Sequence, residues 1–214
     1  MIIKKIRHCC FVITINKTIF ITDPGSFVSL DEMVWVDVLL LSHEHDDHYH
    51  IENIQKLLKL NPDLKIYTNE SVHELLQDEN ISSEVLGDGD ITEYEGIFIK
   101  AVGEWHEEIW EEREKVQNIG FFIDEKVFFT GDAFQKLDFV PEVLLFCIAG
   151  PFIRLRESIV YVQGISPRVA IPMHESILIP DLQEFHVSIA DGAFVNHPTV
   201  FIPLTEGGEY THVG

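Results

Sequence analysis

The six residues HEHDDH (43–48) follow directly on the apolar run WVDVLLL (35–41). A short, continuous apolar run is the pattern of a strand covered on both faces. Residues two apart in an extended chain point the same way, so His43 and His45 face one side together. Asp47 and His48 fall where the chain turns into the next helical pattern, and they swing to a second side. One loop can thus seed two metal sites, which in a binuclear centre lie roughly 3.5–4 Å apart. The bland alternative is a solvated helix start capped by Asp46 or Asp47. Three histidines and an aspartate at this spacing, at the end of an apolar strand, argue against it.

The rest of the chain sets strands and helices around that loop. IIKKI, CCFVITI and TIFITD read as strands, with a turn at Asn16-Lys17 and a stop at Asp23-Pro24-Gly25. IENIQKLLKL is an amphipathic helix ended by Asn61-Pro62, LKIYT a strand, and NESVHELLQDEN a second helix. After the turn at Gly87-Asp88-Gly89-Asp90, DITEYEG and IFIKAVG form a hairpin. IGFFID and KVFFTGD follow as strands, then VLLFCIAG, a helix over RESIVYVQGI, the strand RVAIPMH, a helix over DLQEFHVSIAD, and a last strand in PTVFIPLTEGGEY. Strand meanders that give way to alternating strands and helices, twice over, predict an α/β fold. The form expected is a four-layer αββα sandwich of two mixed β-sheets with outer helices.

At 214 residues, 46% of them hydrophobic, the chain is expected to form a single domain over 1–214. A net charge of −21 repels phosphate backbones, and the basic residues are scattered, so no nucleic acid is expected as partner. Three cysteines do not make a disulfide framework, which favours a reduced compartment. The basic, apolar N-terminus lacks a small-residue cleavage site, and no run reaches the length of a membrane span. A cytoplasmic protein with no membrane partner is expected. The sequence leaves the oligomeric state open.

HEHDDH matches the HxHxDH signature of metallo-β-lactamase-fold hydrolases, and the strand order resembles that fold. The resemblance implies further ligands at later strand ends: His106 in AVGEWHEE, Asp132 in VFFTGDAF and His174 in VAIPMHES. It assigns His43, His45 and His106 to one ion, Asp47, His48 and His174 to the other, and Asp132 to a bridge between them. Asp23 in FITDPG resembles the family's buried aspartate, which orients the loop. His8, His50, His73, His186, His197 and His212 are read as ordinary surface or core residues. ITDPGS, LLLSHEHDDH, CIAGPF and IPMHES resemble the small group that includes ascorbate-phosphate lactonases and N-acyl-phosphatidylethanolamine phospholipases.

The activity this implies is metal-dependent hydrolysis of a small-molecule ester, lactone or amide. Its cofactors would be two divalent ions, Zn2+ first and Mn2+ or Fe2+ next. Coordination lowers the pKa of water from about 15.7 to about 7, which supplies a metal-bound hydroxide at neutral pH. Asp47 is the expected catalytic residue, orienting that nucleophile. His45 stands where the family's di-iron oxidoreductases carry glutamate, which favours hydrolysis. A phosphodiesterase or nuclease of the same fold, or a non-catalytic metal-binding scaffold, is the alternative. The segment 104–114, with six glutamates and two tryptophans, reads as a solvated hairpin or as a lid that disfavours anionic substrates.

Overall fold

In the computed structural model, which describes residues 1–30 and 35–213, the chain folds as two compact units. Unit 1 comprises residues 1–87 and 204–214, and unit 2 comprises 88–203.

Unit 1 opens with an antiparallel meander of β1 (Ile2–Arg7), β2 (Cys10–Ile15) and β3 (Thr18–Thr22). Parallel pairing takes over at β4 (Val38–Leu40), followed by α1 (Ile51–Leu60), β5 (Lys65–Thr68), α2 (Glu70–Asp78) and the two-residue β6 (Glu84–Val85). Parallel neighbours need a crossover, and the two helices supply it between β4 and β5 and between β5 and β6. The sheet is closed at its other edge by β14 (Glu209–Thr211), antiparallel to β1, in the order β14-β1-β2-β3-β4-β5-β6. Ile54 and Leu57 of α1 and Val72 and Leu76 of α2 are buried against Cys10, Ile21, Leu39, Leu41 and Ile66 of the sheet. Asn69 caps α2 by accepting from Val72 N at 3.0 Å.

Unit 2 repeats the plan. β7 (Ile91–Tyr94), β8 (Ile97–Val102), β9 (Gly120–Ile123) and β10 (Val127–Phe129) are antiparallel. β11 (Val143–Cys147), α3 (Leu155–Ile165), β12 (Val169–Met173), α4 (Pro180–Phe194) and β13 (Val200–Phe201) continue with parallel pairing, giving the order β13-β12-β11-β10-β9-β8-β7. Val162 of α3 and Ala190 and Phe194 of α4 pack with Phe122, Phe128, Leu144, Phe146 and Phe201. Two mixed sheets, each with its own helices, are the α/β class that the sequence predicts.

One expected element is two. PTVFIPLTEGGEY does not form one strand: β13 pairs with β12 in unit 2, and β14 pairs with β1 in unit 1. Gly207 breaks the run at φ +75°, a conformation that favours glycine, and Gly208 N closes a turn on Thr205 O at 2.8 Å. Helix α4 also begins at Pro180, one residue before the expected DLQEFHVSIAD, and runs three residues past it. Proline is at home in a first helical turn, where its missing N–H costs nothing. Among the described residues, no helix is long and apolar enough to cross a membrane.

Candidate metal centre

The parallel strands place chemistry at their C-terminal ends, as open α/β sheets do. In unit 1, Asp23 follows β3 and the histidine loop follows β4. In unit 2, Asp132 follows β10 and His174 follows β12, while His106 follows β8.

Asp23 organises unit 1. It is fully buried and accepts from Ser42 N at 2.8 Å, Ser42 Oγ at 2.5 Å and His48 Nδ1 at 2.6 Å. Burial pushes its carboxyl above the ordinary aspartate range, and the His48 and Ser42 contacts pull it back. Because the Ser42 hydroxyl gives its one hydrogen to Asp23, it accepts from His43 Nδ1 at 2.9 Å. The network therefore puts the ring proton of both His43 and His48 on Nδ1. Each Nε2 carries the lone pair, the form in which imidazole binds a metal.

His43 Nε2 lies 3.1 Å from His45 Nδ1, so these two rings converge on one region. Asp47 Oδ2 lies 3.1 Å from His8 Nε2 and 3.9 Å from His48 Nε2. The loop itself rests on the chain after β3. Ser26 N donates to Asp46 O at 2.7 Å, and a Cβ at Gly25 would come within 1.9 Å of Asp47 O, so only glycine fits there. The aspartates do not cap α1. Its N-cap is His50, without a side-chain cap bond.

Unit 2 is organised around Asp132, which is 1% exposed. Its Oδ2 lies 3.0 Å from His174 Nε2 and 3.4 Å from His106 Nε2, while Oδ1 accepts from the Cys147 thiol at 3.1 Å. His106 Nδ1 donates to Glu107 O at 2.6 Å, which leaves the lone pair of the neutral ring on Nε2. A carboxylate oxygen facing such a lone pair is favourable only with a proton or a metal cation between them. Asn118 fixes the turn, accepting from Asp132 N at 2.9 Å and donating to Thr130 O at 3.1 Å.

Backbone strain gathers at these residues. His8 (φ 56°), Asp23 (φ 34°) and His174 (φ 71°) all sit in the left-handed region. Each costs ~1–3 kcal/mol and persists where the surroundings hold it.

Unit 1 thus brings together His43, His45, Asp47 and His48, and unit 2 brings together His106, Asp132 and His174. Imidazole nitrogens and carboxylate oxygens fit a divalent transition ion. Two participants escape the sequence reading. His8 is fully buried beside Asp47 rather than an ordinary histidine. Its signal is a histidine breaking a strand pair between Arg7 and Cys9. Cys147 donates to Asp132, and nothing in an apolar strand sequence marks it out.

The beta-lactamase superfamily domain model matches residues 2–174 and so runs across both units. The chain belongs to the beta-lactamase superfamily. It is 29% identical over 182 residues to UPF0173 metal-dependent hydrolase Ta0764 of Thermoplasma acidophilum, covering 78% of this chain and 80% of that one. Igni18, a metallo hydrolase of the archaeon Ignicoccus hospitalis, superposes at a TM-score of 0.73 with 17% identity over 100% of both chains. CmlA of Streptomyces venezuelae, a diiron beta-hydroxylase, superposes at 0.68 with 12% identity, over 94% of this chain and 52% of its own. This superfamily member therefore has the metallo-β-lactamase fold. The fold alone does not choose between hydrolytic and oxidative chemistry, because it serves both.

Proposed function

We propose that the chain is a metal-dependent hydrolase with a binuclear centre, acting on a small-molecule ester, lactone or amide. His43, His45 and His106 hold one divalent ion, Asp47, His48 and His174 hold the second, and Asp132 bridges them. Zinc is the first choice of ion, because it takes imidazole and carboxylate donors together, and manganese or iron(II) come next on the same donors. The observation that carries the reading is the Asp132 carboxylate: one oxygen faces two imidazoles and the other is tied back by a thiol. Both imidazoles thus reach the carboxylate that would join the two ions.

When bound, the ions acidify water into the neutral range and act as Lewis acids on the carbonyl under attack. The chain's own residues do the rest. Asp47, with Oδ2 held by His8, orients the attacking water. Asp23 keeps the His43 and His48 rings in the tautomer that leaves Nε2 available. His45, where the resemblance places glutamate in the family's di-iron oxidoreductases, favours hydrolysis over oxidation. The charge of −21 argues for a substrate other than nucleic acid.

Elemental analysis of the purified protein, paired with hydrolysis of ester, lactone, amide and phosphodiester substrates before and after chelation, tests this. Two ions per chain and chelator-sensitive carbonyl hydrolysis are expected. Turnover of phosphodiesters alone would replace the substrate class. A chain that takes up no metal under any loading condition would sink the reading.

A further inference from the structure

The turn between β1 and β2 carries metal-ligating side chains of its own. Arg7 pairs with Cys10, so His8 and Cys9 are the two turn residues. Two-residue hairpin turns favour asparagine and glycine, and connecting segments run over the surface. This turn has neither residue, and both of its side chains are fully buried. His8 takes a left-handed conformation (φ 56°) that glycine adopts at less cost.

Burial brings sulfur to imidazole. His8, Cys9 and His48 each place a ligand atom within 4.8 Å of the others. The His8 and His48 rings meet edge to face, with centroids 5.7 Å apart. Bonds of about 2.3 Å to sulfur and about 2.0–2.1 Å to nitrogen set two donors of one zinc ion at most about 4.4 Å apart. The trio is therefore gathered on the scale of a single ion. The end of β3 fixes this placement. Thr22 Oγ1 donates to Cys9 O at 2.7 Å and accepts from Phe11 N at 3.0 Å, while the next residue, Asp23, holds His48 Nδ1. Two consecutive residues thus anchor both the cysteine and the histidine.

The neighbouring thiol shows the ordinary alternative. Cys10 is buried with Ile21, Leu39, Leu41 and Ile54, and that burial pushes its thiol well above the usual cysteine range. A cysteine so placed acts as a small hydrophobe. Cys9 lies instead beside two imidazoles, one of which belongs to a proposed ligand.

We propose that Cys9 is a thiolate donor to the ion assigned to Asp47 and His48, delivered by the β1–β2 turn. The inference rests on the metal-dependent reading for the ion and adds a donor to it. On binding, the S–H bond breaks, its proton passes to water, and a sulfur–metal bond forms. Thiolate is a soft ligand that suits zinc, whereas manganese prefers oxygen donors. Cys9 therefore makes the centre selective for zinc over manganese.

Cobalt(II) is the probe, because a thiolate bound to it gives a charge-transfer band in the near ultraviolet that imidazole and carboxylate do not. The cobalt-loaded wild type should show this band. Cys9→Ser should lose it and keep the visible bands of cobalt on the remaining donors. Cys147→Ser should retain it. Because the chain has three cysteines, Cys147→Ser and Cys10→Ala assign the band by elimination should Cys9→Ser fail to fold. Zinc affinity, read by competition with a chelator, should fall at least about tenfold in Cys9→Ser, no less than the loss of a supporting contact costs. Manganese affinity should change far less. Cobalt bound to the wild type without the band overturns the proposal and leaves the hydrolase reading standing. A band that survives Cys9→Ser, or that vanishes in Cys147→Ser or Cys10→Ala alone, also overturns it. A wild type that takes up neither cobalt, zinc nor manganese removes both readings.

Discussion

The four proposed metal donors of unit 1 come from six consecutive residues, 43–48, whereas the three proposed for unit 2 come from positions 106, 132 and 174. The two sets are also oriented differently. A single buried carboxylate, Asp23, fixes the tautomers of both His43 and His48, one through Ser42 and one directly. In unit 2 two of the three have separate supports: a backbone carbonyl for His106, and an amide and a thiol for Asp132. A compact motif concentrates its dependence on one residue behind it. A dispersed set relies on three strand ends and spreads that dependence out.

The strongest way to break the comparison is to remove the donor that the others face. Asp132→Ala should lower turnover by about 10³-fold or more, the scale of losing a principal electrostatic element of a site. The fold should survive by circular dichroism, because the Cys147 thiol and two imidazoles lose only a polar neighbour. Asp23→Ala should do the reverse and act first on stability. It strands Ser42 N, the Ser42 hydroxyl and His48 Nδ1 in a fully buried place, at about 3–5 kcal/mol by the precedent of broken buried pairs. Denaturant midpoints for the two variants separate these cases. If Asp132→Ala proves the less stable of the two, unit 1 is not the more centralised set.

The same contrast explains what could be read from the chain alone. HEHDDH is legible because its spacing is local, and alternation in an extended chain already puts His43 and His45 on one side. His106 and Asp132 carry no such internal check. A histidine in a glutamate-rich loop and a glycine-aspartate pair are common, and they gain meaning only from the strands they follow. His8 was out of reach for another reason. Its contact with Asp47 links residues 39 apart across the turn between β1 and β2, and the left-handed backbone at His8 is not written in the residue type. The sheets themselves were legible from apolar runs. The exceptions are β6, a two-residue strand with no apolar run to mark it, and the last segment, where the turn at Gly207 and Gly208 sends β14 to a different sheet from β13.

A matched pair of substitutions behind the ligands sharpens the picture at a smaller scale. His8→Ala removes the partner of Asp47 Oδ2 in unit 1, and Cys147→Val removes the donor to Asp132 Oδ1 in unit 2. Losing such a supporting contact should weaken metal binding by about 10–100-fold, read by competition with a chelator. Cys147→Ser keeps a donor at the same place and should stay near the wild type. If the serine variant falls as far as the valine one, the thiol acts by shape and not by its hydrogen bond.

The smallest effect lies wholly in unit 2, at the hydroxyl of Tyr161. It donates to Gln135 O at 3.1 Å, and its ring stacks on Phe134, which lines a cavity of about 300 Å³ in unit 2. Burial pushes this phenol far above the ordinary tyrosine range, with the nearby Glu107 charge adding to the shift. The sign of the pH effect follows. Near neutral pH both folded and unfolded chains keep the proton, so the shift contributes nothing. Above a pH of about 10 the unfolded chain releases its proton first, and stability falls by about 1.4 kcal/mol per pH unit until the folded group titrates too. Tyr161→Phe should therefore cost about 1 kcal/mol at neutral pH, for the lost hydrogen bond, and then lose this share of the alkaline decline. Denaturation curves at pH 7 and in the alkaline limb should converge, the variant overtaking the wild type at high pH. Parallel curves with no convergence would mean that the hydroxyl is reached by water, and that the wall of the cavity opens more readily than its packing implies.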